Sequence, residues 1–99
     1  MSTLNSTVAH NSYFEGKVQS LVLSTEKGPA TVGVMKKGDY RFSTSVTEHM
    51  VIISGSLTVK LPEGDWKTYQ QQESFDVAAG VAFDVSCTED VAYICYYGA

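Results

Sequence analysis

The sequence carries little positive charge. Its 99 residues hold seven lysines and arginines against eleven aspartates and glutamates, a net charge of −4. The isoelectric point is 4.9. Arg41 is the only arginine, and no basic run exists. The electrostatic footprint of a nucleic-acid binder is therefore missing. Any phosphate site must be built locally, because the overall field repels anions. Histidine and cysteine are equally scarce: His10, His49, Cys87 and Cys95 make neither a CxxC pair nor a zinc set. The cysteines read as buried thiols, and a disulfide would need neighbouring strands with suitable Cα geometry. No apolar run approaches the ~20 residues of a membrane span. The polar stretch 1–12 lacks the apolar segment of a signal peptide. The expectation is a cytoplasmic chain with no membrane partner. Helical spacing of apolar residues is absent throughout.

What is present is short alternation. Ninety-nine residues make one domain. Apolar residues make up 43% and charged residues 18%, which fits a packed globule and not a disordered chain. Residues 1–12, rich in Ser, Thr and Asn, read as a flexible N-terminal arm, and residues 13–99 as the folded domain. Strands are expected at Val18 to Ser24, Ala30 to Met35, Tyr40 to Thr44, Glu48 to Ser54, Leu57 to Leu61 and Trp66 to Tyr69. Further ones follow around Phe75, at Phe83 to Cys87 and at Val91 to Tyr97. Turn signals such as Lys27-Gly28-Pro29, Ser54-Gly55 and Pro62-Glu63-Gly64-Asp65 cut them apart. Nine or ten short strands without a helix imply an antiparallel barrel or sandwich, and closing the sheet hides its edges.

The stretch from Gly38 to Gly55 is similar to the first motif of the cupins, which runs glycine, HxH, glutamate, glycine. Glu48 lies seven positions before Gly55, as in that pattern. Phe42 and Thr44 stand near the two histidine positions. Ala78-Ala79-Gly80-Val81-Ala82-Phe83 is similar to the second motif, PxGxxH, with Phe83 in place of the last ligand. Only Glu48 survives of a set that would need about three imidazole or carboxylate ligands. His49, adjacent to it, points to the opposite face of a strand. The expected fold is an all-β, single-domain cupin, a small antiparallel β-barrel of jelly-roll type, with no metal.

Several further runs resemble the pyrimidine/purine nucleoside phosphorylase family of small cupins. They are Tyr13 to Val18, Val32-Gly33-Val34-Met35, Gly38 to Thr44, Glu48-His49-Met50, Ile53 to Leu57, Phe75-Asp76-Val77 and Tyr93 to Tyr97, together with Trp66. The resemblance spans Tyr13 to Tyr97. Departures fall at Arg41, Gln72 and Ala78, where the family more often has a smaller polar residue, a glycine and a proline. The resemblance implies a metal-free and cofactor-free enzyme that splits purine and pyrimidine nucleosides. Inorganic phosphate is the co-substrate, and free base and α-ribose 1-phosphate are the products. A homodimer is the expectation for a small cupin.

Under that implication Glu48 is the candidate catalytic residue, accepting hydrogen bonds from ribose hydroxyls and favouring positive charge on the sugar. Tyr40, Phe42, Phe83 and Tyr93 are candidate walls for base or sugar, because aromatic faces tolerate any planar base. Ser43 and Thr44 are candidate substrate-binding hydroxyls, with Ser54 a further donor to phosphate. Arg41 suits phosphate chemically, but alternation turns it away from Tyr40, Phe42 and Thr44. Trp66 reads as packing or a dimer contact. Two other readings stay open: a cupin that binds a small molecule without turnover, and a module that only dimerises. Fold alone does not separate them.

Overall fold

The computed structural model describes residues 7–98. They form ten strands: β1 (His10–Tyr13), β2 (Val18–Thr25), β3 (Gly28–Met35), β4 (Gly38–Ser43), β5 (Glu48–Ser54), β6 (Leu57–Lys60), β7 (Lys67–Tyr69), β8 (Ser74–Val77), β9 (Ala82–Cys87) and β10 (Val91–Tyr97). The larger sheet has the order β1-β2-β3-β10-β5-β8, and the smaller β4-β9-β6-β7. Every described pairing is antiparallel. Two such sheets packed face to face make the expected cupin jelly roll.

Alternation fixes which side chains meet between the sheets. On β9, Phe83, Val85 and Cys87 are buried, while Ala82, Asp84 and Ser86 are not. Leu57 and Val59 of β6 and Val91, Tyr93 and Cys95 of β10 follow the same rule. Met35 and Ile52 complete the centre, each fully buried. A side chain of that size contributes about 1.5–3 kcal/mol when removed from water. Cys87 and Cys95 lie in different sheets and are both free, so the disulfide left open by the sequence does not form.

Turns explain the motif glycines. Gly55 ends β5 with φ +83°, and a Cβ there would sit 2.7 Å from the Asp90 carbonyl oxygen. The glycine seven residues after Glu48 is thus required by a close backbone approach. The β2–β3 hairpin turns earlier than Lys27-Gly28-Pro29: Thr25 Oγ1 donates to Gly28 O at 2.7 Å and accepts from Lys27 N at 3.1 Å. Pro29 already lies within β3, opposite Ser24.

The boundary drawn at residue 12 falls inside β1, because His10, Asn11 and Ser12 pair with Leu21, Ser20 and Gln19. The rest of the expected arm at positions 1–6 lies outside the described residues. Between β1 and β2 the chain makes one tight turn. Phe14, Glu15 and Gly16 all have positive φ, at +53°, +58° and +88°. No sequence signal for that conformation exists at Phe14 or Glu15.

Candidate active site

A cavity of about 170 Å³ lies between the sheets, with Glu48 in its wall. The larger sheet supplies Glu48 and Met50 from β5, Tyr93, Cys95 and Tyr97 from β10, Met35 from β3 and Ser20 from β2. The smaller sheet supplies Phe42 and Ser43 from β4 and Phe83 from β9, and Tyr13 closes the rim from β1. Phe42 and Phe83 are cross-strand partners whose ring centroids are 5.9 Å apart. Two positions that hold metal ligands in the cupin pattern are therefore a packed aromatic pair facing Glu48. Among the described residues no three His, Cys, Asp or Glu side chains are grouped to hold a metal ion.

Glu48 is half-buried, and loss of solvent raises its carboxyl above the usual carboxylate range. Cys95 Sγ donates to Glu48 Oε1 at 3.5 Å and pulls the other way. Tyr97 hydrogen-bonds to Thr31 Oγ1 at 2.9 Å. Burial pushes Tyr93 up to about 12 and Cys95 up to about 12, and raises Tyr97 as well. These groups are neutral donors at pH 7. None of the residues lining the cavity is cationic, and Glu48 is the one carboxylate among them. The site can hydrogen-bond hydroxyls, pack a planar or apolar surface and stabilise positive charge beside Glu48.

Five of the expected site residues meet here: Glu48, Phe42, Ser43, Phe83 and Tyr93. Tyr40 and Thr44 do not line the cavity, although they share a strand face with Phe42. The Tyr40 hydroxyl donates to Lys36 O at 2.7 Å, in a part-buried position away from the cavity. Thr44 Oγ1 donates to Ala78 O at 2.7 Å and accepts from Val81 N at 3.1 Å, so its hydroxyl staples the β8–β9 turn. Ser54 is exposed at the far end of β5. Arg41 points outward, its Nε donating to Asp84 Oδ1 at 2.9 Å. His49 also faces out, with Nδ1 2.7 Å from Asp76 Oδ1. Tyr13, Ser20, Met35, Met50, Cys95 and Tyr97 were not among the candidates. Period-two spacing from Tyr93 points to Cys95 and Tyr97, and from Val18 to Ser20. No spacing points to Tyr13.

A larger groove of about 670 Å³ runs over the smaller sheet past Phe14, Tyr40, Arg41 and Trp66. Its charged side chains are engaged within it, Arg41 with Asp84 and Asp39 with Ser86. It buries no carboxylate. Chemistry of the kind Glu48 can perform belongs to the smaller, more enclosed cavity.

A family model described as pyrimidine/purine nucleoside phosphorylase matches residues 8–97. A pyrimidine/purine nucleoside phosphorylase of Alcanivorax borkumensis is 49% identical over 89 residues, covering 89% of this chain and 95% of the relative. A protein of unknown function from Vibrio parahaemolyticus superposes with a TM-score of 0.85 at 40% identity, covering 90% of this chain and 96% of that one. An RmlC-like cupin from Shewanella frigidimarina superposes at 0.72 with 17% identity, covering 97% of this chain and 88% of that one, which bears on the fold alone.

Proposed function

The chain belongs to the pyrimidine/purine nucleoside phosphorylase family, and from that premise we propose that its Glu48 cavity splits nucleosides with inorganic phosphate. The products are the free purine or pyrimidine base and α-ribose 1-phosphate, which makes the enzyme a pentosyltransferase. The C1′–N bond breaks with its electron pair leaving on the base, and a phosphate oxygen bonds to C1′. The proton of hydrogen phosphate ends on the base, so atoms and charge balance. No metal or organic cofactor enters the reaction.

The observation that carries this reading is the lone carboxylate of Glu48 in a cavity walled by rings and neutral donors. Ionised Glu48 accepts hydrogen bonds from ribose hydroxyls and stabilises the cation-like sugar as the C–N bond lengthens. Phe42 and Phe83 pack the ligand and hold it against that carboxylate. With no cation in the wall, phosphate is held by hydroxyls such as those of Ser20 and Ser43 and by backbone N–H groups.

A homodimer of cytoplasmic location completes the proposal. The outer face of the larger sheet supports it: Leu21, Val32, Ile94 and Val51 stand in register across β2, β3, β10 and β5. Val34 and Ile53 extend this row and are respectively 51% and 42% exposed. A second copy presenting the same apolar row covers it. No helix among the described residues is long and apolar enough to cross a membrane.

The test is incubation of EDTA-treated protein with uridine or inosine, with and without phosphate. Phosphate-dependent release of uracil or hypoxanthine supports the reading. Nucleoside binding without release favours a cupin that only binds its ligand.

A further inference from the structure

Tyr13 reaches the cavity by an expensive route. It ends the edge strand β1, and the three residues after it all have positive φ. For Phe14 and Glu15, which carry side chains, that conformation is strained, and strain of this kind persists only where surrounding contacts enforce it. Those contacts are present. Lys17 N donates to Phe14 O at 3.1 Å, and Gln19 Nε2 donates to Gly16 O at 3.0 Å. Gln19 Oε1 is in turn 2.7 Å from His10 Nε2. The Phe14 ring packs against Tyr40 and Phe42, with centroids 5.0 and 5.5 Å away. The turn thus belongs to the larger sheet by its strand and to the smaller sheet by its ring. It spans the gap between the two at the cavity rim.

The outcome of this arrangement is the placement of one phenol. Tyr13 lines the cavity beside Glu48, Phe42 and Tyr93, yet it is 49% exposed. It also lies near enough to Tyr93 to disfavour ionisation of that phenol. The cavity, at about 170 Å³, is smaller than the ~300–1,000 Å³ that commonly encloses a small ligand. A ligand whose sugar sits against Glu48 must therefore project its other half through the rim, where the half-exposed ring is.

Resting on the phosphorylase reading, we propose that Tyr13 is the nucleobase platform of the site, held at the rim by the strained Phe14–Gly16 turn. The sugar and phosphate occupy the enclosed part, and the base lies against the Tyr13 ring. Stacking on one ring at an open rim accepts two-ring and one-ring bases alike, since each presents a π face. The enclosed part needs no room for the larger base, so broad base tolerance and a small cavity become compatible.

The experiment compares kcat/KM for inosine and uridine, and the apparent KM for phosphate, in the wild type and in Tyr13→Ala, Tyr13→Phe and Tyr13→Trp. Tyr13 is a half-exposed edge residue, and thermal melts establish that each variant folds. The expected result is a loss of about 10- to 100-fold in kcat/KM for Tyr13→Ala. It is larger for inosine than for uridine, the phosphate KM is unchanged, and the Phe and Trp variants stay within about threefold of wild type. A folded Tyr13→Ala variant with wild-type kcat/KM on both nucleosides overturns the platform while leaving the phosphorylase reading intact. So does a Tyr13→Phe variant as impaired as Tyr13→Ala, because then the hydroxyl and not the ring matters. A wild-type protein that releases no base removes the reading and the platform together.

Discussion

Tyr93 occupies the space that a side chain at Gly33 would need. The two residues are cross-strand partners on β10 and β3, and a Cβ at position 33 would lie 2.4 Å from both Cζ and Oη of the phenol. The clash is with the ring itself, so a small torsional adjustment does not relieve it. The tilt of one cavity wall is therefore set by the absence of a side chain on the neighbouring strand.

Gly33→Ala is expected to destabilise the protein by about 1–3 kcal/mol, the usual cost of overpacking a close-packed interior. Tyr93 is displaced into the cavity, so kcat/KM falls as well. In a Tyr93→Ala background the same glycine substitution becomes nearly neutral. Urea denaturation of the four proteins measures the coupling. Additive effects would mean that Tyr93 does not rest on Gly33 in solution.

Cys95 holds the catalytic candidate through a weak Sγ–H donor. Its bond to Glu48 Oε1 opposes the upward push of burial on that carboxyl. Tyr93 and Tyr97 also face Glu48 and stay neutral across the working range. If the ionised carboxylate is the active form, activity falls on the acid side as Glu48 protonates. Removing the donor by Cys95→Ala moves that limb to higher pH, whereas Cys95→Ser retains a donor and leaves it near the wild-type position. The profile of kcat against pH reads this directly, and a merely structural role for Cys95 would lower kcat without moving the limb.

Arg41, the one arginine available for phosphate, is engaged elsewhere. Its guanidinium bonds both Asp84 carboxylate oxygens on the outside of the smaller sheet, at 2.9 and 3.4 Å. That pairing holds the Asp84 carboxyl below the usual carboxylate range and raises Arg41. Arg41→Ala is expected to change the apparent phosphate KM by less than about twofold, because the guanidinium does not line the cavity and an exposed, paired charge is screened. A tenfold rise would place the guanidinium in the phosphate site of a partner copy.

Gln72 has φ +73°, a conformation that glycine adopts freely and other residues do not. Its N–H donates to Ile52 O at 2.7 Å, so the turn before β8 cannot relax without losing that bond. Gln72→Gly should stabilise the protein by about 0.5–1 kcal/mol, since relief of the strained φ outweighs the extra freedom of the unfolded chain. A shift of the urea midpoint to lower concentration would contradict this.

Strands β5 and β10 were legible to the residue: alternation marks both, Gly55 closes β5, and Glu89-Asp90 and Gly98 bracket β10. Phe42 and Phe83 were legible through the cupin spacing alone. Thr44 was not: facing inward was correct, but only tertiary structure reveals that its hydroxyl is consumed by Ala78 O and Val81 N. Tyr40 fails for a related reason, since the cavity spans one end of β4 and the tyrosine sits at the other. Tyr13 was illegible because its placement depends on a left-handed turn through Phe14 and Glu15, residues that no local preference puts there.

Glu48 is expected to stabilise catalysis at the expense of the fold. Burial raises its carboxyl in the native state above its value in the unfolded chain. Between those two values the native state binds more protons than the unfolded one, so stability falls as pH rises through that window. Below the window both states are protonated and the effect vanishes; above it the cost is constant. Glu48→Gln keeps the shape and removes the charge. The variant should lose about 10²–10³-fold in kcat, the scale for deleting a preorganised electrostatic contact. It should also melt higher than wild type at pH 7, with the difference shrinking towards pH 4. Thermal melts of both proteins across that range, set beside uridine phosphorolysis, decide the matter. A variant that keeps full turnover removes Glu48 from the chemistry. One that melts lower at pH 7 shows instead that the ionised carboxylate is held by donors strong enough to outweigh its burial.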